Sequence, residues 1–260
     1  MAPVRYLALA LIAACTPTAY APPARMISLD SPTAPRARGT DVQAEIGRIG
    51  AVFGPDLAAG NLRTRHAVTD TIVVEAEGGM AKVENEGTLV VDTPVQRSTT
   101  SVPATSPSTS HSAYTGRAGA ILQGTDGAVR GALTAGIGGG YSPVAGGWTS
   151  VDVGASAGGT NRYIRPWFAG DLGYNQPLSP RPFTVSYDDL DETEQTTLEL
   201  TSNMMVRGTF GLELGPAESA FVLGLSVTRV FADTNGQVGA SQNSGGDAFI
   251  AVAAGFRALL

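Results

Sequence analysis

The residues able to do chemistry in this 260-residue chain are few and of one kind. Arg117, Arg130, Arg165, Arg207 and Arg257, with Asp152, Asp171, Glu199 and Glu213, fall on the polar parity of segments that alternate between apolar and polar side chains. Such a set is close to charge balance, as a dry interior requires, because an unpaired buried charge is strongly destabilising. The chemistry expected of them is a structural ion-pair network. A path for ions or solutes is the alternative, and it needs something to hold the space open. The histidines are His66 and His111, and Cys15 is the single cysteine. No phosphate-binding loop, dinucleotide fingerprint or metal-ligand cluster occurs. With one cysteine, no disulfide forms within a subunit. The expectation is a protein that is not an enzyme and uses neither cofactor nor metal.

The elements that must position these charges read as β-strands. The stretch Thr196 to Gly215 organises the rest: Leu198, Leu200, Met204, Val206, Phe210, Leu212 and Leu214 are even-numbered, while Glu199, Arg207, Thr209 and Glu213 are odd. A period of two makes one apolar and one polar face. Leu198, Leu200, Val206, Phe210 and Leu212 are expected to face lipid, since a strand of about 9–11 residues crosses a bilayer. The same alternation recurs around Tyr114–Gln123, Ala128–Gly140, Trp148–Gly158, Arg162–Tyr174, Phe221–Val227 and Ala248–Leu260. Thr71 to Asp92 also alternates, but its apolar parity switches at Gly78-Gly79, so it reads as one kinked strand or a hairpin. Trp148 is placed with Tyr114, Tyr141, Tyr174, Phe231 and Phe249 in an aromatic belt.

Composition agrees with this reading. Charged residues make up 15% and the chain holds 33 glycines, against roughly 25% charged residues in soluble domains. The net charge of −6 and the absence of basic clusters argue against a nucleic-acid partner. The acidic run Asp188–Glu194 reads as a solvated loop tip.

Arg5 precedes a short apolar run, Tyr6 to Ala14, too short to span a membrane as a helix but suited to a signal peptide. Leu11-Ile12-Ala13-Ala14-Cys15 resembles the lipobox of bacterial lipoproteins. The resemblance implies cleavage before Cys15, acylation (palmitate among the chains) and, with Thr16 following, export to the outer membrane. Residues 15–39, rich in Pro, Ala and Thr, read as a lipidated disordered tether. Val42, Ile46, Ile49 and Phe53 share helical spacing, so residues 40–66 are expected to form one short helix and a linker.

Tight connections at 124–127, 159–161 and 215–218 alternate with longer ones at 93–111, 141–146, 175–195 and 232–247. This pattern resembles small eight-stranded outer-membrane barrels over roughly residues 71–260, although the terminal Leu260 is not the usual aromatic. The resemblance implies an all-β, antiparallel up-and-down barrel at 67–260 after a signal peptide at 1–14. Both chain ends would then lie on the periplasmic side. The partners implied are the bilayer, through Cys15 and the barrel surface, and other envelope proteins. His111-Ser112 is similar to the His and Ser of lipid A deacylases, but lacks that family's intervening residue. Three functions stay open: a non-enzymatic, lipid-anchored outer-membrane barrel acting in envelope structure or surface interaction; a soluble periplasmic β-sandwich lipoprotein; and a lipid-modifying barrel enzyme.

Overall fold

Alternation of inward and outward side chains continues through ten long strands that close into one antiparallel barrel. The computed structural model describes residues 19–33, 35, 38–51, 56–84, 111–124, 128–189, 192–232 and 247–260. We number the barrel strands β1 Thr40–Ala51, β2 Asp56–Ala67, β3 Ile72–Glu84, β4 His111–Gln123, β5 Val129–Ser142, β6 Gly146–Gly159, β7 Ile164–Pro180, β8 Asn203–Leu214, β9 Ser219–Ala232 and β10 Asp247–Leu259. Each pairs with its sequence neighbours, and β10 pairs with β1 to close the wall.

Four features differ from the sequence-based expectation. The wall has ten strands, not about eight, and the described residues contain no helix. The region 40–66, expected to be a helix and linker outside a barrel beginning at 67, supplies β1 and most of β2. Asp41, Gln43 and Glu45 are buried on the inward face, while Ala44, Ile46 and Arg48 point outward. The helical spacing of Val42, Ile46 and Ile49 is overridden because β1 completes hydrogen bonding on both edges, to β2 and β10, and removes every open edge. Of the two alternatives for the next segment, a single strand is found: residues 72–84 form β3 without a break. Its parity holds through the glycines: Val73, Glu75, Glu77 and Ala81 are all buried on the inward face.

The organising stretch is also interrupted. Only Asn203–Leu214 belongs to the wall; Glu192–Leu198 pairs with Phe183–Asp189 as a separate hairpin, and Leu200–Thr201 forms a short parallel bridge with Ala19–Tyr20.

Connections sort by end. Residues 68–71, 124–128, 160–163 and 215–218 are short and lie at one end, with Leu259. The other end carries the long connections 85–110, 181–202 and 233–246 beside the short 52–55 and 143–145.

The outward face is apolar. Ile46 is 70% exposed, Phe210 61% and Val252 61%, whereas Arg63 is 1% exposed and Glu213 0%. This is the reverse of a water-soluble sandwich, whose apolar parity would meet between two sheets. A packed sandwich is therefore replaced by one closed sheet.

Candidate functional site

The chain before β1 lies inside the barrel. Residues 24–33 are all buried, so the described part of the expected disordered tether is an ordered internal plug. Extended backbone with Pro22, Pro23 and Pro32 has no ladder of its own, and its polar groups must be satisfied by something else. Wall side chains do so in sequence. Asn203 Nδ2 donates to the Ala21 carbonyl at 2.9 Å and Arg207 Nη1 to Arg25 at 3.0 Å. Asn61 Nδ2 donates to Ile27 at 3.1 Å, and Arg63 Nη2 to Leu29 at 3.0 Å. Arg257 Nη1 donates to Thr33 at 2.9 Å and Gln123 Nε2 to Pro35 at 3.0 Å.

Charges organise the middle of the plug. Arg25 donates through Nη1 to Asp30 at 2.6 Å, through Nη2 to Glu75 at 2.8 Å and through Nε to Glu77 at 2.8 Å. Arg63 binds Asp30 and Glu45, each at 2.6 Å, and so ties the plug acid to β1. Arg117 binds both oxygens of Asp152 at 2.6 and 2.7 Å, and also donates to Glu75. Toward the short-turn end, Glu213 accepts from Arg165 at 2.7 Å and Arg257 at 2.5 Å. Arg65 makes a two-point pair with Asp41 at 2.9 and 2.7 Å. These guanidinium–carboxylate forks fix orientation as well as charge. Breaking one partner of such a buried pair costs about 3–5 kcal/mol, because the other charge is stranded.

Apolar residues of the plug complete an inner core. Ala21, Met26, Ile27 and Leu29 pack in one cluster with Trp148, Trp167, Leu200, Val222 and Ala253. Close approach depends on missing side chains. A Cβ at Gly224 would sit 2.5 Å from Leu29 Cδ2, and one at Gly138 2.7 Å from Ala24 Cβ. Two glycines of the wall thus accommodate two residues of the plug.

Most residues read from the sequence as interior charges lie in this lumen. Arg117, Arg165, Asp171, Arg207, Glu213 and Arg257 are buried, and Arg207 pairs with Asp171 at 3.2 Å. Asp152 is half-buried, and Arg130 is half-buried near the short-turn end. Glu199 is not among them. It is exposed, between the hairpin and the bridge and outside every barrel strand. Val206 and Phe210 are exposed on the outward face and Leu212 is half-exposed. Leu200 is 7% exposed and packs on Ala21, so it covers the lumen mouth instead of facing outward. Trp148 is likewise buried inside and not part of an outer belt. The side chains of Leu198 and His111, together with Cys15, lie outside the described residues. His66 is exposed, its Nδ1 2.8 Å from Thr40 Oγ1.

Several members of the network were not singled out from the sequence: Arg25, Asp30, Asp41, Glu45, Arg63, Arg65, Glu75 and Glu77. A signal was present. Arg63/Arg65 and Glu75/Glu77 are i, i+2 pairs, which share one face of a strand. Among the described residues, no group of three or more His, Cys, Asp or Glu side chains is arranged to hold a metal ion.

No family model and no curated protein matches the chain. Solved structures do. Neisserial surface protein A is similar at 10% identity and TM-score 0.35 over 85% of this chain and 95% of its own. An outer membrane channel from Pseudomonas putida F1 is similar at 12% identity and TM-score 0.45, covering 90% and 100%. LpxR from Salmonella typhimurium is similar at 8% identity and TM-score 0.42, covering 84% and 99%.

Proposed function

We propose that this chain is a non-enzymatic outer-membrane β-barrel protein, closed by its own N-terminal segment and acting through its long-connection end in envelope structure or surface interaction. The observation that carries the reading is the inversion of polarity. Exposed aliphatic and aromatic side chains surround the closed wall, while a network of paired charged side chains lies within. In water this arrangement would leave a large apolar surface uncovered; in a bilayer it satisfies both the hydrocarbon and every backbone donor. Outer-membrane barrels carry short turns on the periplasmic side and longer loops outside, which orients the short-turn end inward.

The plug narrows the range of functions. Its ion pairs and carbonyl contacts run along the lumen from Ala21 to Pro35, and in this reading they make the resting protein a sealed wall and not an open pore. That leaves the long-connection end, with the Phe183–Asp189 and Glu192–Leu198 hairpin, as the face available to partners. Acylation of Cys15 adds a lipid anchor in this reading, on the strength of the lipobox alone.

The test is reconstitution. The folded protein should float with lipid vesicles, shift its electrophoretic mobility on heating, and release no entrapped small solute. A protein that stays in the aqueous fraction would refute the membrane reading, and release of solute by the intact chain would refute the sealed lumen. Mass spectrometry of the mature N-terminus settles the anchor: an unmodified Cys15, or cleavage elsewhere, removes it.

A further inference from the structure

The plug has a direction. At the long-connection end Ala19–Tyr20 pairs with Leu200–Thr201, and the Ala21 amide donates to the Thr201 carbonyl at 3.1 Å. Midway, Arg25 meets β3 and its carbonyl meets Arg207. At the short-turn end Thr33 meets Arg257 and Pro35 meets Gln123, and the Arg38 amide donates to Ala67 at 2.9 Å before the chain turns into β1 at Thr40. Read backwards from β1, the chain enters the lumen at the short-turn end and leaves it at the opposite mouth.

We infer that the barrel delivers its own N-terminus through its lumen to the cell surface, and that the membrane partner of the N-terminal lipid is the outer leaflet. This rests on the outer-membrane reading above, and it reverses the periplasmic placement expected from the sequence. Ala19 lies at the long-connection mouth. Four residues of fully extended chain reach at most about 14 Å, which bounds the distance between Ala19 and the Cys15 backbone. The apolar band of such a barrel is about 25 Å tall, more than that reach covers. Return through the lumen is closed, because residues 24–33 already fill it. Acyl chains that the lipobox would place on Cys15 therefore have within reach only the leaflet around the long-connection end.

An order of assembly follows. A lumen lined by Arg63, Arg117, Glu45 and Glu75 is a poor passage for acyl chains, since those charges would lose both partners and water while it passed. The wall must close around a segment already in place. The closing seam between β10 and β1 adjoins the point where the plug becomes the first strand, so one chain end both fills the barrel and completes it.

The experiment uses full-length protein in intact cells with one epitope at a time: between Thr18 and Ala19, within 233–246, or between Pro216 and Ala217. Antibody should reach the first two on intact cells, and the third only after permeabilisation. If the first is reached only after permeabilisation while the 233–246 epitope stays accessible, the threading is wrong and the barrel reading survives. If the 233–246 epitope is inaccessible as well, or the protein is absent from the outer membrane, both fall together. Should the first insertion block folding, Tyr20→Cys replaces it, read with a membrane-impermeant maleimide against Leu259→Cys at the other end. Labelling of Tyr20→Cys and not Leu259→Cys on intact cells supports the inference; the opposite pattern overturns it.

Discussion

Replacing Arg25 by Met tests whether charge pairing, and not merely fit, holds the plug in the lumen. Arg25 has three carboxylate partners, but they do not depend on it equally. Asp30 also binds Arg63, and Glu75 also binds Arg117. Glu77 keeps, among the described residues, one hydrogen bond, from the Asn61 amide at 2.9 Å, and no second ion pair within contact distance. One carboxylate is therefore stranded in Arg25→Met, so the cost is that of a single broken buried pair, about 3–5 kcal/mol. At about 1.4 kcal/mol per factor of ten, the population with the plug undocked rises by roughly two to three and a half powers of ten. Hydrogen exchange of the folded protein in micelles reads this directly. Peptides covering residues 20–33 should lose protection, while those from β8, β9 and β10 stay as they were. Adding Glu77→Gln removes the stranded charge and should restore most of the protection. Unchanged protection in Arg25→Met, or a double variant no better than the single one, would refute the argument.

The plug's fit is open to a paired test. Gly224→Val intrudes on Leu29 and should cost about 1–3 kcal/mol as an overpacked core; Leu29→Ala in the same chain should recover part of it, seen in the midpoint of the heat-induced mobility shift. Leu29→Ala alone should cost about 2–5 kcal/mol through the space it leaves, measured by denaturant unfolding. On the outward face, Phe210→Arg should cost about 2–4 kcal/mol near the bilayer midplane, measured by refolding into vesicles, and a neutral result would count against lipid contact. Thr209→Arg should be no gentler, because Thr209 is 1% exposed in a lumen already filled. Deleting residues 20–33 should turn a silent protein into a conducting one in planar bilayers; a deletion variant that folds and stays silent would show that the plug is not what seals it.

Much of the wall was written in local sequence. Alternation of Val206, Phe210 and Leu212 with Arg207, Thr209 and Glu213 states which parity is charged and which is apolar, because the two faces of a strand repeat every second residue. From β4 to β10 that rule, with the lengths of the connections, was enough to read an antiparallel barrel. That Arg165, Arg257 and Glu213 belong to one inward network followed in outline, since near-balanced charges on the inward parity have no other way to be buried; which of them pair did not.

The count of strands and the plug were decided by tertiary structure. Barrel closure is a property of all the strands together, and β1 becomes a strand because β2 and β10 both need its hydrogen bonds, although its apolar residues also fit a helix. Width follows from the count: eight strands leave room for side chains alone, whereas this ten-stranded wall surrounds a length of its own chain. Residues 22–33 carry no periodicity, because they join no strand ladder through the lumen. Their partners are Asn61, Arg63, Arg207 and Arg257, up to 224 residues away along the chain. Leu200 and Trp148 look outward-facing by local pattern, yet they are buried against a segment whose position no local pattern records. Periodicity reports the side a residue faces, and only the closed barrel determines what is found there.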